Sequence, residues 1–174
     1  MHLRNEILKE HSKRQSIMIA GWVCSDKSRF KNLMNLFFSD EGLVVQRSAW
    51  IVKMVADQQQ DWVMPYLRRM LIYCKKPVHD AVKRNVMNIL QNITVPDRLL
   101  GLAATVSFDL LLDVKEPVAV KVFAMSVLFN ISLREPGLQT ELRLIITEQM
   151  EFAKPAFRSR GTKVLKQLEK LKTE

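Results

Sequence analysis

The chain has 174 residues, 48% of them hydrophobic, and a formal net charge of +9. A chain of this size can bury one sizeable core, and its five glycines are few for a β fold. Its polar first residues do not form a secretory signal, and its longest apolar run, residues 99–112, is too short to span a bilayer. We therefore expect a single soluble domain over residues 1–174, located in the cytoplasm and not in a membrane.

One helical segment recurs along the chain at nearly constant spacing. Its best-matching copies are VKVFAMSVLFNI (120–131) and VKRNVMNILQNI (82–93), and looser copies begin at residues 12, 45 and 157. Counted from the first residue of each copy as position 0, the apolar residues fall mainly at positions 0, 4, 7, 8 and 11, which is helical spacing. Such a period is typical of stacked repeat proteins, whose units bury their apolar faces against one another.

The predicted elements are an opening helix followed by four helix pairs. Residues 1–24 form an N-terminal cap helix that contains the most degenerate copy. The four pairs cover residues 28–57, 61–94, 97–132 and 138–171. In each pair a first helix leads through a short loop into the helix that carries the copy, called here the repeat helix, as in antiparallel helix hairpins.

Paired helices of this period resemble HEAT repeats. The resemblance rests on a proline early in the first helix, as in Met64-Pro65-Tyr66-Leu67, and on Val-Lys or Val-Lys-Arg followed by small and apolar residues in the second. Gly101 takes the place of the proline in the next unit. The resemblance implies an all-α fold, a right-handed α-α superhelix of about four to five HEAT-like helix pairs. Armadillo repeats, with three helices per unit, fit the spacing less well.

The sequence carries none of the usual catalytic signatures, since it lacks GxGxxG, GxxxxGK[ST], HExxH and GxSxG. Its three histidines are scattered, and Cys24 and Cys74 do not have the spacing of metal ligands. We therefore predict a protein that is not an enzyme, with no catalytic residues, no metal, no cofactor and no small-molecule ligand.

One enzymatic alternative comes from the resemblance itself. The bacterial alkylpurine DNA glycosylases are also HEAT-repeat proteins with basic concave surfaces, and the resemblance implies a site built from tryptophans and an aspartate. Trp22 and Asp26 are four residues apart and would share one helix face. Trp50 and Trp62 have no acidic residue at that spacing. Packing of Trp22 within the N-terminal cap is the preferred interpretation.

The basic charge is concentrated at both ends of the chain. Residues 1–87 carry a net charge of +7, residues 88–154 carry −2, and residues 155–174 carry +4. A basic balance of this kind is typical of proteins that bind nucleic acid or an acidic protein partner. The lysines near the C-terminus also suit the polar outer face that the end unit of a solenoid needs.

Positions 2, 5, 6 and 9 of the repeat helix lie roughly opposite its core positions. In HEAT-like stacks the second helices line the concave surface, and arginine mixed with apolar residues is typical of protein-binding surfaces. We predict a non-catalytic scaffold that holds a protein or peptide partner on this concave surface. The predicted binding residues are Arg47, Trp50, Met54, Arg84, Gln91 and Phe129.

Two alternatives remain open at this point. Some residues at these positions, notably Met87 and Met125, could pack against neighbouring units instead of facing solvent. The basic surfaces could also bind nucleic acid through its phosphates.

Overall fold

A computed structural model describes residues 1–171 of the protein, which form helices joined by short loops. The described part of the chain contains no strand, so the all-α prediction is confirmed. The chain divides into two compact units, Met1–Ile93 and a second one that begins at Thr94.

The first unit contains seven α-helices and one short 3₁₀ segment, Met64–Tyr66, within its described residues. The helices are α1 (Leu3–Lys9), α2 (Lys13–Cys24), α3 (Lys27–Phe37), α4 (Gly42–Ala56), α5 (Gln60–Val63), α6 (Leu67–Cys74) and α7 (Asp80–Gln91). The repeat helices α2, α4 and α7 pack in a row, α2 against α4 and α4 against α7. The first helices of the pairs pack against this row, α3 on α4 and α6 on α7.

The second unit repeats this arrangement. Its α-helices are α8 (Leu100–Leu112), α9 (Val118–Ser132), α10 (Gln139–Met150) and α11 (Pro155–Lys170). The repeat helices α9 and α11 pack against each other, and α8 and α10 pack on α9 and α11 respectively. Short 3₁₀ segments, Asp97–Leu99 and Pro136–Leu138, lead into α8 and α10.

Most core positions of the repeat helix are buried as the sequence predicts, whereas Ser12, Ile93 and Leu165 are partly exposed. At position 7, for example, every copy places an aliphatic side chain with no more than 2% of its surface exposed. These residues are Ile19, Val52, Ile89, Val127 and Val164. Lys53 is the predicted exception at position 8, where its ammonium group pairs with Asp57 at 2.5 Å. Stacking therefore gives each copy the same buried environment.

The opening helix is where the structure departs most from the prediction. Residues 1–24 form two helices, α1 and α2, because Glu10 is extended and ends the first of them. Ser12 starts the second, since its hydroxyl accepts a hydrogen bond from the backbone N–H of Gln15 at 3.1 Å. The prediction of a single cap helix over residues 1–24 is therefore wrong.

Positions 5 and 6 are also less exposed than predicted. Met87 and Met125 at position 5 are fully buried, and Ile51 and Ser126 at position 6 are buried as well. The reason is that each of these repeat helices packs against another repeat helix as well as against its own pair partner, α4 on α7 and α9 on α11. For Met87 and Met125 the alternative interpretation, packing against other helices, is therefore the right one.

Candidate binding surface on the repeat helices

Five of the six predicted binding residues lie on two neighbouring helices of the first unit. Arg47, Trp50 and Met54 are on α4, and Arg84 and Gln91 are on α7. Arg84 is exposed and the other four are partly exposed. Because α4 packs against α7, these residues belong to one row of helices.

The sixth predicted residue, Phe129, lies on α9 of the second unit, where its ring is partly exposed. Its role in binding stays a prediction, as do the roles of the other five.

Arg47 has a structural contact that the sequence did not reveal. Its Nη1 donates hydrogen bonds to the carbonyls of Leu8, at 2.8 Å, and of Ile7, at 3.2 Å. These carbonyls belong to the last turn of α1, where no intrahelical N–H is available to them. Arg47 therefore caps α1, and a cation at a helix C-terminus is also favoured by the helix dipole.

Trp50 contacts the same N-terminal segment. Its ring meets His11 edge-on, with centroids 6.3 Å apart and an interplanar angle of 71°. His11 lies between α1 and α2. Two of the predicted binding residues of α4 are thus in contact with residues that precede α2.

A salt bridge fixes α1 to the start of α4. The Nε of Arg4 donates to both carboxylate oxygens of Glu41 at 2.9 Å. These hydrogen bonds lower the pKa of Glu41 and raise the pKa of Arg4. Helix α1 is only 7 residues long, so it depends on such tertiary contacts for its stability.

The other residues of α4 and α7 on this side offer apolar and amide groups. Met54 is partly exposed, and the amide of Gln91 donates to Asn88 Oδ1 at 3.0 Å. A guanidinium, an indole ring, a thioether and amides can hold a partner by hydrogen bonds and apolar contact. They provide no pair of nucleophile and base for covalent catalysis.

Helix α2 presents a second exposed surface, and the sequence interpretation missed it. Arg14, Ile17, Met18 and Gly21 occupy positions 2, 5, 6 and 9 of the first copy, and all four are exposed. The exposed fractions of Ile17 and Met18 are 53% and 46%. The spacing i, i+3, i+4, i+7 already marks these residues as one helix face. The predicted binding residues come from the copies on α4, α7 and α9, so the exposed positions of the copy on α2 are not among them.

The buried side of α2 carries polar residues that are fully engaged. Gln15 donates to the backbone carbonyl of Glu6 at 3.0 Å and to its carboxylate at 2.9 Å. The Ser16 hydroxyl donates to the carbonyl of Ser12 at 2.9 Å. Helix α2 therefore buries satisfied polar groups while it exposes two large apolar side chains.

The three repeat helices of the first unit are strongly basic. Helices α2 and α4 contain no aspartate or glutamate, and α7 contains only Asp80 in its first turn. Their basic residues are Lys13, Arg14, Arg47, Lys53, Lys83 and Arg84. This row therefore has the charge to attract an anionic partner.

The structure places Trp22 and Asp26 on different helices, so the prediction of a shared helix face is wrong. Helix α2 ends at Cys24, and Asp26 is the N-cap of α3, where it accepts a hydrogen bond from Ser28 N at 2.8 Å. That bond is the main cause of the lowered pKa of Asp26. The Arg29 guanidinium lies 4.1 Å from the centroid of the Trp22 ring. Both residues thus hold the junction between two helices.

Among residues 1–171, no group of three or more His, Cys, Asp or Glu side chains is placed to hold a metal ion. Both cysteines are free thiols, and Cys74 is buried whereas Cys24 is partly exposed. Burial raises the pKa of Cys24. None of the helices described is both long and apolar enough to cross a membrane.

The stacked helix pairs define an α-helical repeat protein. A family model described as a HEAT repeat domain matches residues 3–168. The chain therefore belongs to the HEAT-repeat family, whose members are generally non-catalytic binding scaffolds. A comparison with curated proteins found no match.

Proposed function

We propose that this protein is a non-catalytic module that holds a protein or peptide partner on the exposed side of its repeat helices, the surface predicted to be concave. The observation that carries the proposal is the pairing, on adjacent helices, of the partly exposed Trp50 and Met54 with the exposed Arg84. Tryptophan and arginine dominate the binding energy of many interfaces. One supplies a large rigid apolar surface and the other several planar donors.

Each residue has a distinct part in the proposed contact. Trp50 and Met54 receive apolar side chains of the partner, Arg84 binds a carboxylate or carbonyl, and Gln91 offers its amide. Adjacent helices of this kind are roughly 8–10 Å apart, so an extended or helical peptide can touch both α4 and α7. Phe129 is the proposed contact on the second unit.

The test is the double variant Trp50→Ala with Arg84→Ala, used in affinity capture from lysate of the native host at low and high salt. We expect a partner that the wild type retains at both salt levels and the variant loses. The matched control is Arg68→Ala with Ile72→Ala, an exposed arginine and an exposed aliphatic residue one turn apart on α6. The control should retain the partner, and circular dichroism should be the same for all three proteins.

Capture of the same partner by the double variant would contradict the proposed site. Because Trp50 also contacts His11, the single variant Arg84→Glu provides a check that does not alter packing. Arg84 is exposed, so this variant should fold normally and lose affinity.

Nucleic-acid binding is the second candidate, and the exposed basic residues of the repeat helices in the first unit, Lys13, Arg14 and Arg84, favour it. Phosphate contacts would make the affinity fall steeply with salt, whereas Trp50 would contribute little. Charge reversal should then weaken binding at each of the exposed basic residues Lys13, Arg14, Arg68, Arg69, Lys163 and Lys166.

A further inference from the structure

We propose that the exposed face of α2 binds an acidic amphipathic helix of a partner protein. We call this face, formed by Lys13, Arg14, Ile17, Met18 and Gly21, the α2 face. The proposal rests on the proposed function, because it assigns a chemistry to a partner that lies along the same row of repeat helices.

The first argument is the apolar content of the α2 face. Spacing i, i+3, i+4, i+7 on a helix is ordinarily the stripe that faces the core. On α2 the apolar stripe that faces the core is formed by Ile19, Ala20 and Val23, and two further large apolar side chains, Ile17 and Met18, are about half exposed on the opposite side. Single exposed apolar residues are ordinary. Two adjacent ones, exposed in addition to the buried stripe of the same helix, mark a surface suited to apolar contact.

The second argument is room for another helix. The α2 face extends from Lys13 to Gly21, which is about two turns and roughly 12 Å. A Cβ atom added at Gly21 would have no other atom within 4 Å. A partner helix can therefore approach α2 closely at this end, and its apolar residues can reach Ile17 and Met18 in the manner of a helix laid on an apolar surface.

The third argument is charge. Lys13 lies one turn before Ile17, and Arg14 lies one turn before Met18, so basic groups border the apolar pair. Neither α2 nor its neighbour α4 contains an acidic residue. A partner helix with glutamates or aspartates beside its apolar stripe would complement both features at once.

These features fit a peptide better than a nucleic acid or a membrane. Single-stranded nucleic acid is held by phosphate contacts and by bases stacked on aromatic rings, whereas the two large exposed side chains at the centre of the α2 face, Ile17 and Met18, are aliphatic. Membrane-surface helices sink a long apolar face into the lipid interface, whereas the α2 face offers two large apolar side chains over two turns. The neighbouring helix α4, which packs against α2, also carries partly exposed apolar side chains, Trp50 and Met54.

The experiment uses the full chain and defined probes. The main probe is a fluorescein-labelled peptide of about sixteen residues with leucines along one helix face and glutamates beside them. A second peptide replaces the glutamates with lysine, and a third replaces the leucines with glutamine. A labelled single-stranded oligodeoxythymidylate and vesicles of phosphatidylcholine with phosphatidylserine complete the set. Binding is measured by fluorescence anisotropy and, for vesicles, by co-sedimentation.

Two variants test the two properties of the α2 face. Ile17→Gln with Met18→Gln removes the apolar pair, and we expect the affinity for the acidic amphipathic peptide to fall about tenfold or more. Arg14→Glu should lower the affinity for this peptide to roughly a fifth of the wild-type value. The loss should be smaller at high salt, because salt screens the charge. The matched controls are Leu144→Gln on α10 and Arg98→Glu in the 3₁₀ segment Asp97–Leu99, which change exposed residues elsewhere and should leave the affinity unchanged.

Three results would overturn the proposal. They are equal binding of the acidic and lysine peptides, equal binding of wild type and the Ile17/Met18 variant, and tighter binding of the oligonucleotide or the vesicles than of the acidic peptide. The proposed function is judged separately, by partner capture with the Trp50/Arg84 variant. If the Trp50/Arg84 variant loses the captured partner but the acidic peptide does not bind the wild type, the proposed acidic helix is wrong and the scaffold function stands. If the peptide binds through α2 while capture ignores Trp50 and Arg84, the site on α4 and α7 is wrong.

Discussion

Helices α2 and α11 occupy the same place in the repeat and expose different chemistry. At positions 5 and 6, α2 presents Ile17 and Met18, whereas α11 presents Thr162 and Lys163. All four side chains are exposed, although the methionines at position 5 of α7 and α9 are fully buried. The repeat therefore fixes which core positions are buried, and the neighbours of each helix decide the rest.

This difference shows that an apolar residue at an exposed repeat position is not imposed by the fold. Helix α11 follows the usual rule that exposed side chains are mostly polar, and it is a stable part of the same kind of stack. Helix α2 departs from that rule at two adjacent residues, which supports a role in binding.

The largest expected effect is a difference in stability between alanine substitutions at two isoleucines of α2. Ile19→Ala removes a side chain with 1% of its surface exposed, so the free energy of unfolding should fall by about 2–5 kcal/mol. Ile17→Ala changes an exposed side chain, so the free energy of unfolding of this variant should stay within about 0.5 kcal/mol of the wild-type value. Urea denaturation followed by circular dichroism measures both, and equal losses would mean that the two stripes of α2 are assigned wrongly.

The next largest effect is the change in stability when a glycine of α11 or of α2 is replaced. A Cβ atom at Gly161 of α11 would lie 2.9 Å from Met150 Sδ and 3.1 Å from Ile146 Cγ2, whereas the same atom at Gly21 of α2 meets nothing. Gly161→Val should therefore destabilise the protein by about 1–3 kcal/mol through overpacking. Gly21→Ala should stabilise it by up to about 1 kcal/mol, because alanine favours the helix. Thermal melting would detect the opposite signs, and a stabilised Gly161 variant would contradict the close packing of α10 and α11.

A smaller effect concerns the arginines at position 2. Arg47→Ala leaves the last carbonyls of α1 without their donor, which should cost about 1 kcal/mol. Arg84→Ala changes an exposed residue at the same position of α7 and should have almost no effect on stability. Hydrogen exchange provides the second readout, since faster exchange confined to residues 3–9 is expected for the Arg47 variant alone.

The smallest effect concerns the surface ion pair between Arg4 and Glu41. Because folding lowers the pKa of Glu41, its contribution to stability is present above its usual pKa of 4.5 and is lost as the pH falls through the lower folded value. Glu41→Gln should therefore slightly lower the melting temperature at about pH 7 and have no effect once wild-type Glu41 is protonated. Glu169→Gln on α11 breaks a longer contact to Arg143, at 3.9 Å, and should show a smaller change. If the melting temperatures of wild type and Glu41→Gln still differed at acid pH, the ion pair would not be the cause of the difference.

Much of the fold could be predicted because repetition averages out local ambiguity. Periodicity alone predicts Ile89, Val127 and Val164 as core residues, since stacking repeats the same environment. The break before α2 also has a signal in the sequence. Ser12 and Gln15 have the spacing of a capping box, in which a serine side chain accepts from the backbone N–H three residues later.

The candidate site was harder to predict, because its geometry depends on residues far apart in sequence. The hydrogen bonds of Arg47 reach carbonyls 39 and 40 residues earlier, and no local pattern reveals them. The burial of Met87 likewise depends on which helices flank α7. A helical wheel identifies a side that can face solvent, but it does not show what covers that side.

The close packing at Gly161 predicts an effect of oxidation on the second unit. Met150 is only partly exposed, and its sulfur already lies where a methyl group at residue 161 would meet it. Conversion of Met150 to the sulfoxide adds a polar oxygen to this sulfur, at the contact between α10 and α11. Peroxide treatment should therefore loosen the packing of these two helices, and reduction by methionine sulfoxide reductase should restore it.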